Sequence, residues 1–397
     1  MLLVPQSSRN FEQTMTTLGR LVWLLGMIAL VAGCSEEVVA PVPEVFDSAV
    51  LHKIEVTVES TYLNQLATDL DNRVPCTFVY DGEPVEQAGI RQKGNTAFAL
   101  DEKPSFSVRF DEFDSKGDLH GLHKILLNNS VQDPTFMREK LGADAHARAG
   151  IAAARIAYAQ MTFNGVDGGI YVVAEAIDKD FLQLHFGKDY DEGNLFEGPC
   201  CGDFAVDANY REVEMTLDDE KKDDRTRDDI NTLAQVIRDA PDATFPTDLA
   251  RVLDVDEFLE IYALEVILLH WDGFSFGKNN YYMYDNPANS RFVFFPHGMD
   301  RILTDLNFDF SAASLATLLP QRIRANPTLD SKFQTHLDDL GKSSWNKSTM
   351  LATIDSTSAL LHQASAGTQT KADLALIDAN LAQLRQVITI VDVEMNP

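Results

Sequence analysis

The segment VDEFLEIYALEVILLHW, residues 255–271, constrains the fold more than any other part of the chain. It is apolar on most faces of a helix, whereas a surface helix keeps one polar face. We therefore expect a central core helix that other elements surround. The segments NYYMYD and RFVFFP follow it and predict a hairpin, and the chain from Ala312 onward is predicted to be mostly helical.

The first half of the chain is predicted to be rich in strands. IEVTVE, residues 54–59, alternates apolar and polar side chains with the period of a half-buried strand. Further strands are predicted at CTFVYDG, AGIRQKG, PSFSVRF, KILLNN and, as a pair, in AYAQMTFNGVDGGIYVVAEAI. Helices are predicted at 62–70, at 133–149 with Asp133 as the cap and Pro134 as the first residue, at 178–186, and up to residue 239. The fold class is therefore α+β, with a β-rich front and an α-rich back.

The charge of the chain limits its partners. Its 397 residues are 45% hydrophobic, which is typical of a globular protein, and carry a formal net charge of −28. A protein that coats nucleic acid or an anionic membrane surface needs a cationic footprint, so this charge argues against both. A nucleotide held through a metal ion is compatible with it, and the charge favours basic partners.

The N-terminus carries the pattern of an export signal. After Arg20 comes the apolar run LVWLLGMIALVAGC, which ends in small residues and is shorter than the about 20 residues of a spanning helix. The ending VAGC resembles the lipobox of bacterial lipoproteins, which implies cleavage after residue 33 and lipid attachment to Cys34. We expect a signal peptide at 1–33, a tether at 34–50, and membrane contact only through this lipid, at the outer membrane if the cell is Gram-negative. The alternatives are a plain anchor helix and a start at Met15.

Three further cysteines follow Cys34, at Cys76, Cys200 and Cys201. Export permits disulfides. Three thiols predict one bridge and one free thiol, with no pairing assigned. The spacing of cysteines and histidines is not typical of a zinc site.

Two polar clusters in the first half admit both a functional and a structural interpretation. GIRQKGNTAF places Arg91 and Lys93 at a turn, with Lys103 before the next strand, and such a hairpin could bind phosphates. The alternative is a basic hairpin on the surface. LLNNSVQDPTFMREKL holds Asn129, Asp133 and Arg138, and its structural alternative is a helix cap together with a structural salt bridge.

A third cluster follows the core helix, in HWDGFSFGKNNYYMYD and in the PHGMD segment after the hairpin. It holds His270, Asp272, Asn280 and Asp300. One aspartate can orient the proton of an attacking hydroxyl, while an asparagine and a second aspartate can hold magnesium against nucleotide phosphates. The order is that of H-R-D-x-x-x-x-N and D-F-G in eukaryotic-type kinases, with wider spacing. The alternative is a polar turn between helix and hairpin.

Five motifs, in order, resemble those of the CotH family of atypical secreted protein kinases, over residues 50–310. GIRQKGNTAF is similar to the family's G-x-R-x-R-G-N-S, and KPSFSVRF to its K-x-S-F-x-x-x-F. LLNNSVQDPTFMREKL resembles L-x-N-x-x-D-x-S-x-x-R-x-x-L. GGIYVVAEAIDKDFL with GNLFEG resembles G-x-Y-x-x-x-E-x-I-D-x-x-F-L with N-L-Y-K-G. HWDGFSFGKNNYYMYD resembles H-x-D-G with N-N-Y.

This resemblance implies a two-lobed, protein-kinase-like fold at 51–310, with a β-rich N-terminal lobe and an α-rich C-terminal lobe, followed by a helical region at 311–397. It implies ATP with Mg²⁺, or Mn²⁺ in its place, and transfer of phosphate to Ser or Thr of exported proteins. The residues carried over are Asp272 as the catalytic aspartate with His270 supporting its loop, Asn279, Asn280 and Asp300 as metal ligands, Arg91, Lys93 and Lys103 as phosphate contacts, and Glu175 as the partner of a lysine or a metal ligand.

Three positions at which the chain departs from the family pattern bear on its activity. The family's P-W-D-x-D reads PHGMD here, so that His297 and Gly298 replace tryptophan and the first aspartate, and Glu197 stands where the family often has lysine. Loss of a carboxylate beside the metal weakens magnesium binding. The alternatives to an active kinase are a pseudokinase that acts as a surface-anchored binding module and a nucleotidyltransferase on the same fold.

Overall fold

A computed structural model describes residues 44–94, 98–190, 192–198, 201–204, 216–217 and 228–395. These residues belong to one unit of the chain, Pro43–Pro397. The predicted signal peptide, Cys34, the first part of the predicted tether and Cys200 lie outside the described residues.

The elements follow the predicted order, with strands first and helices last. The strands are β1 (Leu51–Thr57), β2 (Val74–Tyr80), β3 (Glu83–Gln92), β4 (Phe106–Arg109), β5 (Lys124–Asn128), β6 (Ile156–Phe163), β7 (Val166–Glu175), β8 (Leu195–Glu197), β9 (Thr216–Leu217), β10 (Tyr281–Asn286) and β11 (Arg291–Pro296). The helices are α1 (Leu63–Thr68), α2 (Arg138–Ala149), α3 (Lys179–Phe186), α4 (Asp228–Asp239), α5 (Phe245–Leu249), α6 (Val255–Ile267), α7 (Phe274–Gly277), α8 (Leu318–Ala325), α9 (Pro327–Ser343), α10 (Lys347–Leu361) and α11 (Thr368–Met395). The α+β class is confirmed.

The first seven strands form a closed barrel in the order β1-β2-β3-β4-β5-β7-β6. All neighbours pair antiparallel except β1 and β6, whose parallel pairing closes the barrel. Ile54 and Val56 of β1 are buried while Lys53 and Glu55 are exposed, as the alternating pattern predicted. Burial of one face of every strand fills the barrel with apolar side chains.

The predicted core helix is α6, which is buried on most faces. It packs on α9, where the rings of Tyr262 and Phe333 stack with their centroids 4.2 Å apart, and on β11 of a four-stranded sheet ordered β11-β10-β8-β9. The helix ends at Ile267, four residues before the predicted end. The chain leaves the helix there because Leu269 adopts a φ of 53° and the N–H of His270 turns back to the carbonyl of Glu265.

The predicted start of α2 at Asp133 is wrong, since the helix begins at Arg138. The carboxylate of Asp133 accepts hydrogen bonds from the N–H groups of Thr135, at 3.0 Å, and Arg138, at 2.8 Å, and it also pairs with the Arg138 guanidinium. Phe136 has a φ of 61°, which is incompatible with a helix. The structural interpretation of this cluster, a cap and a buried ion pair, is the one that the structure has.

The C-terminal helices pack on the same core as α6 rather than apart from it. Helix α11 lies against β7 and α10. Its segment Thr368–Asp392 is long and apolar enough to cross a membrane by length and composition. Ile377, Leu384 and Ile388 of this helix are fully buried against the protein core, and 28% of its apolar window is buried in the structure.

Cys76 lies on β2 as a buried free thiol. Burial raises the pKa of its thiol to about 12. The other described cysteine, Cys201, is exposed.

Candidate functional site

A cleft of about 1640 Å³ is lined by residues of the barrel and of the four-stranded sheet. Strands β3, β4 and β5 contribute outward-facing polar side chains on one side. Strands β8 and β10, with the loops around residues 272–280 and 297–300, contribute the other side. The predicted residues that line this cleft are Arg91, Lys93, Asp272, Asn279, Asn280 and Asp300.

The loop after α6 is folded by a buried carboxylate. Glu265, in the last turns of α6, accepts hydrogen bonds from the N–H groups of Phe274 at 2.7 Å and Ser275 at 3.1 Å. These bonds fold the loop back over the end of the helix, so that Asp272 stands at the cleft. Burial raises the pKa of Glu265 to about 7, because its charged form is desolvated.

Two asparagines contact Asp272. The amide nitrogen of Asn279 donates to the Asp272 carboxylate at 3.5 Å, and that of Asn280 donates to the Asp272 backbone carbonyl at 2.9 Å. The structure therefore brings together the three predicted residues of this loop. A hydroxyl that approaches from the cleft meets a carboxylate that one amide donor contacts, on a backbone that a second amide donor holds.

Gly298 is required by its surroundings. Its φ is 56°, and a Cβ atom built there would come within 2.3 Å of the amide oxygen of Asn280 and 2.6 Å of its amide carbon. The side chain of Asn280 thus occupies the space that a side chain at position 298 needs. The amide of Asn280 therefore occupies the space that a carboxylate side chain at position 298 would take.

Asp300 faces a second buried carboxylate, Glu139 of α2. Burial and repulsion from Glu139 raise the pKa of Asp300 to about 7, and Lys93 opposes this shift. Burial also raises the pKa of Glu139. Asn128 connects the group, since its amide nitrogen donates to both oxygens of Glu139, at 2.9 and 2.8 Å, and its amide oxygen accepts from Lys93 at 3.0 Å.

The donor set at this end of the cleft suits a hard divalent cation. Asp300, Glu139 and the amide of Asn280 offer oxygen atoms, and burial raises the pKa of both carboxyl groups because it desolvates their charged forms. Within the described ranges, no group of three or more His, Cys, Asp or Glu side chains is arranged to hold a metal. Magnesium is commonly held by only one or two carboxylates together with substrate phosphates, so this set fits that ion.

The two predicted cations at the cleft differ in how they are held. Lys93 bonds to Asn128, next to the carboxylate pair. Arg91 donates through one guanidinium nitrogen to the carbonyls of Leu70, at 2.9 Å, and Gln92, at 3.3 Å. Bonding to neutral carbonyls leaves the charge of Arg91 available to an anion in the cleft.

Lys103 and Glu175 are placed away from the cleft lining. The ammonium of Lys103 forms a buried ion pair with Asp373 of α11, at 2.7 Å. Glu175 pairs with Arg155, at 3.0 Å and 2.5 Å, rather than with a lysine. The partner predicted for Glu175 is therefore corrected, and both residues act in the structure as halves of ion pairs.

His270 lies beneath the loop and does not line the cleft. Its side chain is buried, and this burial together with nearby His146 lowers its pKa to about 3. A backbone hydrogen bond with Gly298 holds the ring. A neutral ring that joins the Asp272 loop to the PHGMD segment agrees with the supporting role expected of it.

Glu139 and Asn128 are site residues that the sequence did not indicate. Glu139 follows Arg138 in a helix and looks like an ordinary surface glutamate, while Asn128 looks like a turn residue at the end of a strand. Packing of α2 against the end of β5 brings them together. The proximity of both to the end of β3 and to Lys93 could have been found only from the barrel.

Comparison with known proteins identifies the family to which the chain belongs. A family model described as "CotH kinase protein" matches residues 90–390. The chain is 28% identical to "Inner spore coat protein H" of Bacillus subtilis over 212 aligned residues. This alignment covers 50% of this chain and 54% of that protein. It is 24% identical to "Invasin CotH2" of Rhizopus delemar over 246 aligned residues. That alignment covers 56% of this chain and 41% of the relative. The chain thus spans about half the length of these curated relatives.

The family match begins in β3 of the barrel and runs through the core helix, the cleft loops and most of α11. It therefore includes every described residue that we place at the cleft from Arg91 to Asp300. By this match the chain belongs to the CotH family.

Proposed function

We propose that this protein is a protein kinase that transfers phosphate from Mg-ATP to Ser or Thr hydroxyls of exported proteins. One observation carries the proposal: a single cleft is lined by Asp272, Asn280 and Asp300 on one side and by Arg91 and Lys93 on the other. The barrel and the helical part would then be the two lobes of a protein-kinase-like fold, with the nucleotide between them.

Each group has a role that its surroundings support. Asp272 accepts the proton of the attacking hydroxyl as the hydroxyl oxygen bonds to the γ-phosphorus and ADP leaves. Lys93 and Arg91 bind phosphate oxygens. Asp300 and Glu139, with Asn280, would hold Mg²⁺, which when bound neutralises charge on the phosphates.

The proposed location is outside the cytoplasm, with the protein anchored through lipid on Cys34. The export pattern of the N-terminus supports this location, and relatives named for a spore coat and for invasion are consistent with it. ATP is scarce there, so a kinase at this site needs a local source of nucleotide. We expect its substrate to be another exported protein.

A second candidate is a binding module without transfer activity, and Gly298 favours it. The Asn280 amide stands where the family has a carboxylate, and a neutral amide binds Mg²⁺ more weakly than a carboxylate does. In that case the cleft would bind a nucleotide or a partner and release it unchanged. A third activity, nucleotidyl transfer, would attach the α-phosphate to protein, so that incubation with α-labelled ATP would label the protein.

Nucleotide binding tests the proposal directly. We predict that Mg-ATP binds the purified protein and that Lys93→Ala weakens binding by about 10- to 100-fold, because a charged hydrogen bond is worth about 1.5–3 kcal/mol. Asp300→Asn should reduce the dependence of binding on Mg²⁺. Calorimetric titration with and without Mg²⁺ measures both effects.

Lys332→Ala is the matched control, since Lys332 forms an exposed ion pair with Asp256 on the helical part. It should bind Mg-ATP as the wild type does. Equal weakening by Lys93→Ala and Lys332→Ala, or binding that is indifferent to Mg²⁺, would remove the support for this cleft.

A further inference from the structure

A second, much smaller cavity lies beneath the loops of the cleft. It has a volume of about 10 Å³, and its polar lining residues include His146 of α2, Glu265 of α6, His270 of the loop and Tyr281 of β10. This volume is close to the least that holds one water molecule. The cavity is therefore a buried polar space where three elements of the site meet.

Three polar atoms of the lining residues have no hydrogen-bond partner among the described residues. They are Nε2 of His146, Nε2 of His270 and the hydroxyl oxygen of Tyr281. Their side chains belong to residues that are only 1%, 2% and 3% exposed. A buried polar atom without a partner is costly, and three around one cavity point to a missing ligand.

The chemistry of these atoms defines that ligand. Nδ1 of His146 lies 2.8 Å from the carbonyl oxygen of Gly142, and His270 makes its backbone bond with Gly298 while its Nε2 is left over. A carbonyl oxygen only accepts, so Nδ1 carries the hydrogen in both rings. Burial lowers the pKa of His146 to about 4 and that of His270 to about 3, so both rings are neutral. Each Nε2 atom is therefore an acceptor that needs a donor.

We propose that one water molecule is bound in this cavity. It donates one O–H to Nε2 of His146 and the other to Nε2 of His270, and it accepts the hydroxyl hydrogen of Tyr281. These three bonds are the usual number for an internal water. A metal ion fits less well, because Glu265 already accepts two backbone N–H bonds and the described residues contain no three-membered group of metal-binding side chains.

This water completes a chain of hydrogen bonds across the base of the site. The chain runs from the Gly142 carbonyl through His146, the water and His270 to the Gly298 carbonyl. It joins helix α2 to the loop after α6 and to the PHGMD segment. Those elements carry Glu139, Asp272 and Asp300, so the water and His146 position the site without touching a substrate. Only this positioning role rests on the proposed function.

A crystal structure that resolves internal water tests the binding proposal. We expect a single density peak about 2.7–3.2 Å from the three polar atoms, and ¹⁵N spectra of labelled histidine that place the hydrogen on Nδ1 of both rings. An empty cavity, an anomalous peak that marks a metal, or a hydrogen on either Nε2 would overturn it.

A double-mutant cycle tests whether the water couples its ligands. His146→Leu and Tyr281→Phe should each lower the equilibrium constant for folding about 5- to 30-fold. The double variant should lose less than the product, because the water is already gone. The matched control pairs His146→Leu with Tyr171→Phe, because the hydroxyl of Tyr171 donates to the carbonyl of Pro104 in the barrel. The effects of these two substitutions on the folding constant should multiply. A multiplicative result for both pairs would contradict a shared water.

The positioning role has its own readout, the dissociation constant of Mn²⁺ measured by electron paramagnetic resonance. His146→Leu should weaken Mn²⁺ binding several-fold, and His146→Gln, which keeps an acceptor oxygen, should restore part of it. Unchanged binding in His146→Leu overturns the positioning role. Failure of the wild type to bind Mn²⁺ removes the proposed function instead, and the density peak still decides the water site.

Discussion

Gly298 shows at the residue scale how this chain accommodates the departure of its PHGMD segment from the family pattern. Its φ is positive, and the amide oxygen of Asn280 lies 2.3 Å from the place that a Cβ atom would take, so no room is left for a side chain. We predict that Gly298→Asp does not restore a metal ligand and instead destabilises the fold by about 1–2 kcal/mol or more. Urea unfolding measures the change.

Gly298→Ala adds a Cβ atom without a charge, so it isolates the steric effect of a side chain at this position. It should lower the free energy of unfolding about as much as Gly298→Asp does. Asn280→Gly combined with Gly298→Asp should recover the steric part of the loss, since it clears the space, but not the part that comes from the positive φ of residue 298. A Gly298→Asp protein as stable as the wild type would show that Asn280 moves aside easily.

The raised pKa of Glu265 predicts that the free energy of unfolding depends on pH. Its pKa is about 7 in the folded protein and about 4.5 in the unfolded chain, so its contribution to stability is complete below pH 4.5 and is lost as the pH rises through 7. Glu265→Gln should remove this loss, which is on the order of 3 kcal/mol. The difference in unfolding free energy between variant and wild type, measured from pH 5 to pH 8, checks it. Parallel curves for the two proteins would contradict the assignment.

Individual site residues could be predicted from the sequence where they lie in a recognisable motif. Asp272, Asn280 and Asp300 could be selected because each lies in a short polar segment beside a strongly apolar element. Glu139 could not, because only the packing of α2 buries it. Lys103 was selected by its motif, but burial between α11 and the barrel pairs it with Asp373.

At the scale of elements, the Lys103–Asp373 pair fastens α11 to the barrel. The two side chains are 9% and 2% exposed, and Asp373 also accepts the N–H of Ile170 in β7. Lys103→Ala leaves a buried carboxylate without its cation, so we predict a loss of about 3–5 kcal/mol in unfolding free energy. Chemical denaturation measures the loss.

The exposed Lys332–Asp256 pair provides the comparison, with side chains 49% and 58% exposed. Lys332→Ala should cost less than about 1 kcal/mol. If the two lysine variants were equally stable, the ion pair would not fasten α11.

Element types were predictable from periodicity, whereas several boundaries were not. Strand β1 and helix α6 follow directly from alternation and from continuous apolarity. The start of α2 was misplaced because Asp133 accepts from the N–H of Arg138 across an intervening turn, five residues before the helix, rather than from the position directly before it. The end of α6 depends on the backbone of Leu269, which no local pattern marks.

At the scale of the whole molecule, closure of the barrel sets the position of the cleft. The parallel pairing of β1 with β6 joins strands that are far apart in the chain, for example Ile54 with Met161. Local sequence carries no record of such a pairing, so the β-rich front could be predicted but the barrel could not. The barrel in turn places Lys93 and Asn128 opposite Asp300.

Phosphate transfer from γ-labelled ATP, with Mg²⁺ or Mn²⁺, tests the central claim most directly. The wild type should label itself or a Ser/Thr-rich basic protein, while Asp272→Asn and Asp300→Asn should each lower the rate at least about 100-fold, and Asp256→Asn on the exposed surface should not. Label that persists in both cleft variants, or no label in the wild type although Mg-ATP binds, would contradict a kinase that uses this cleft.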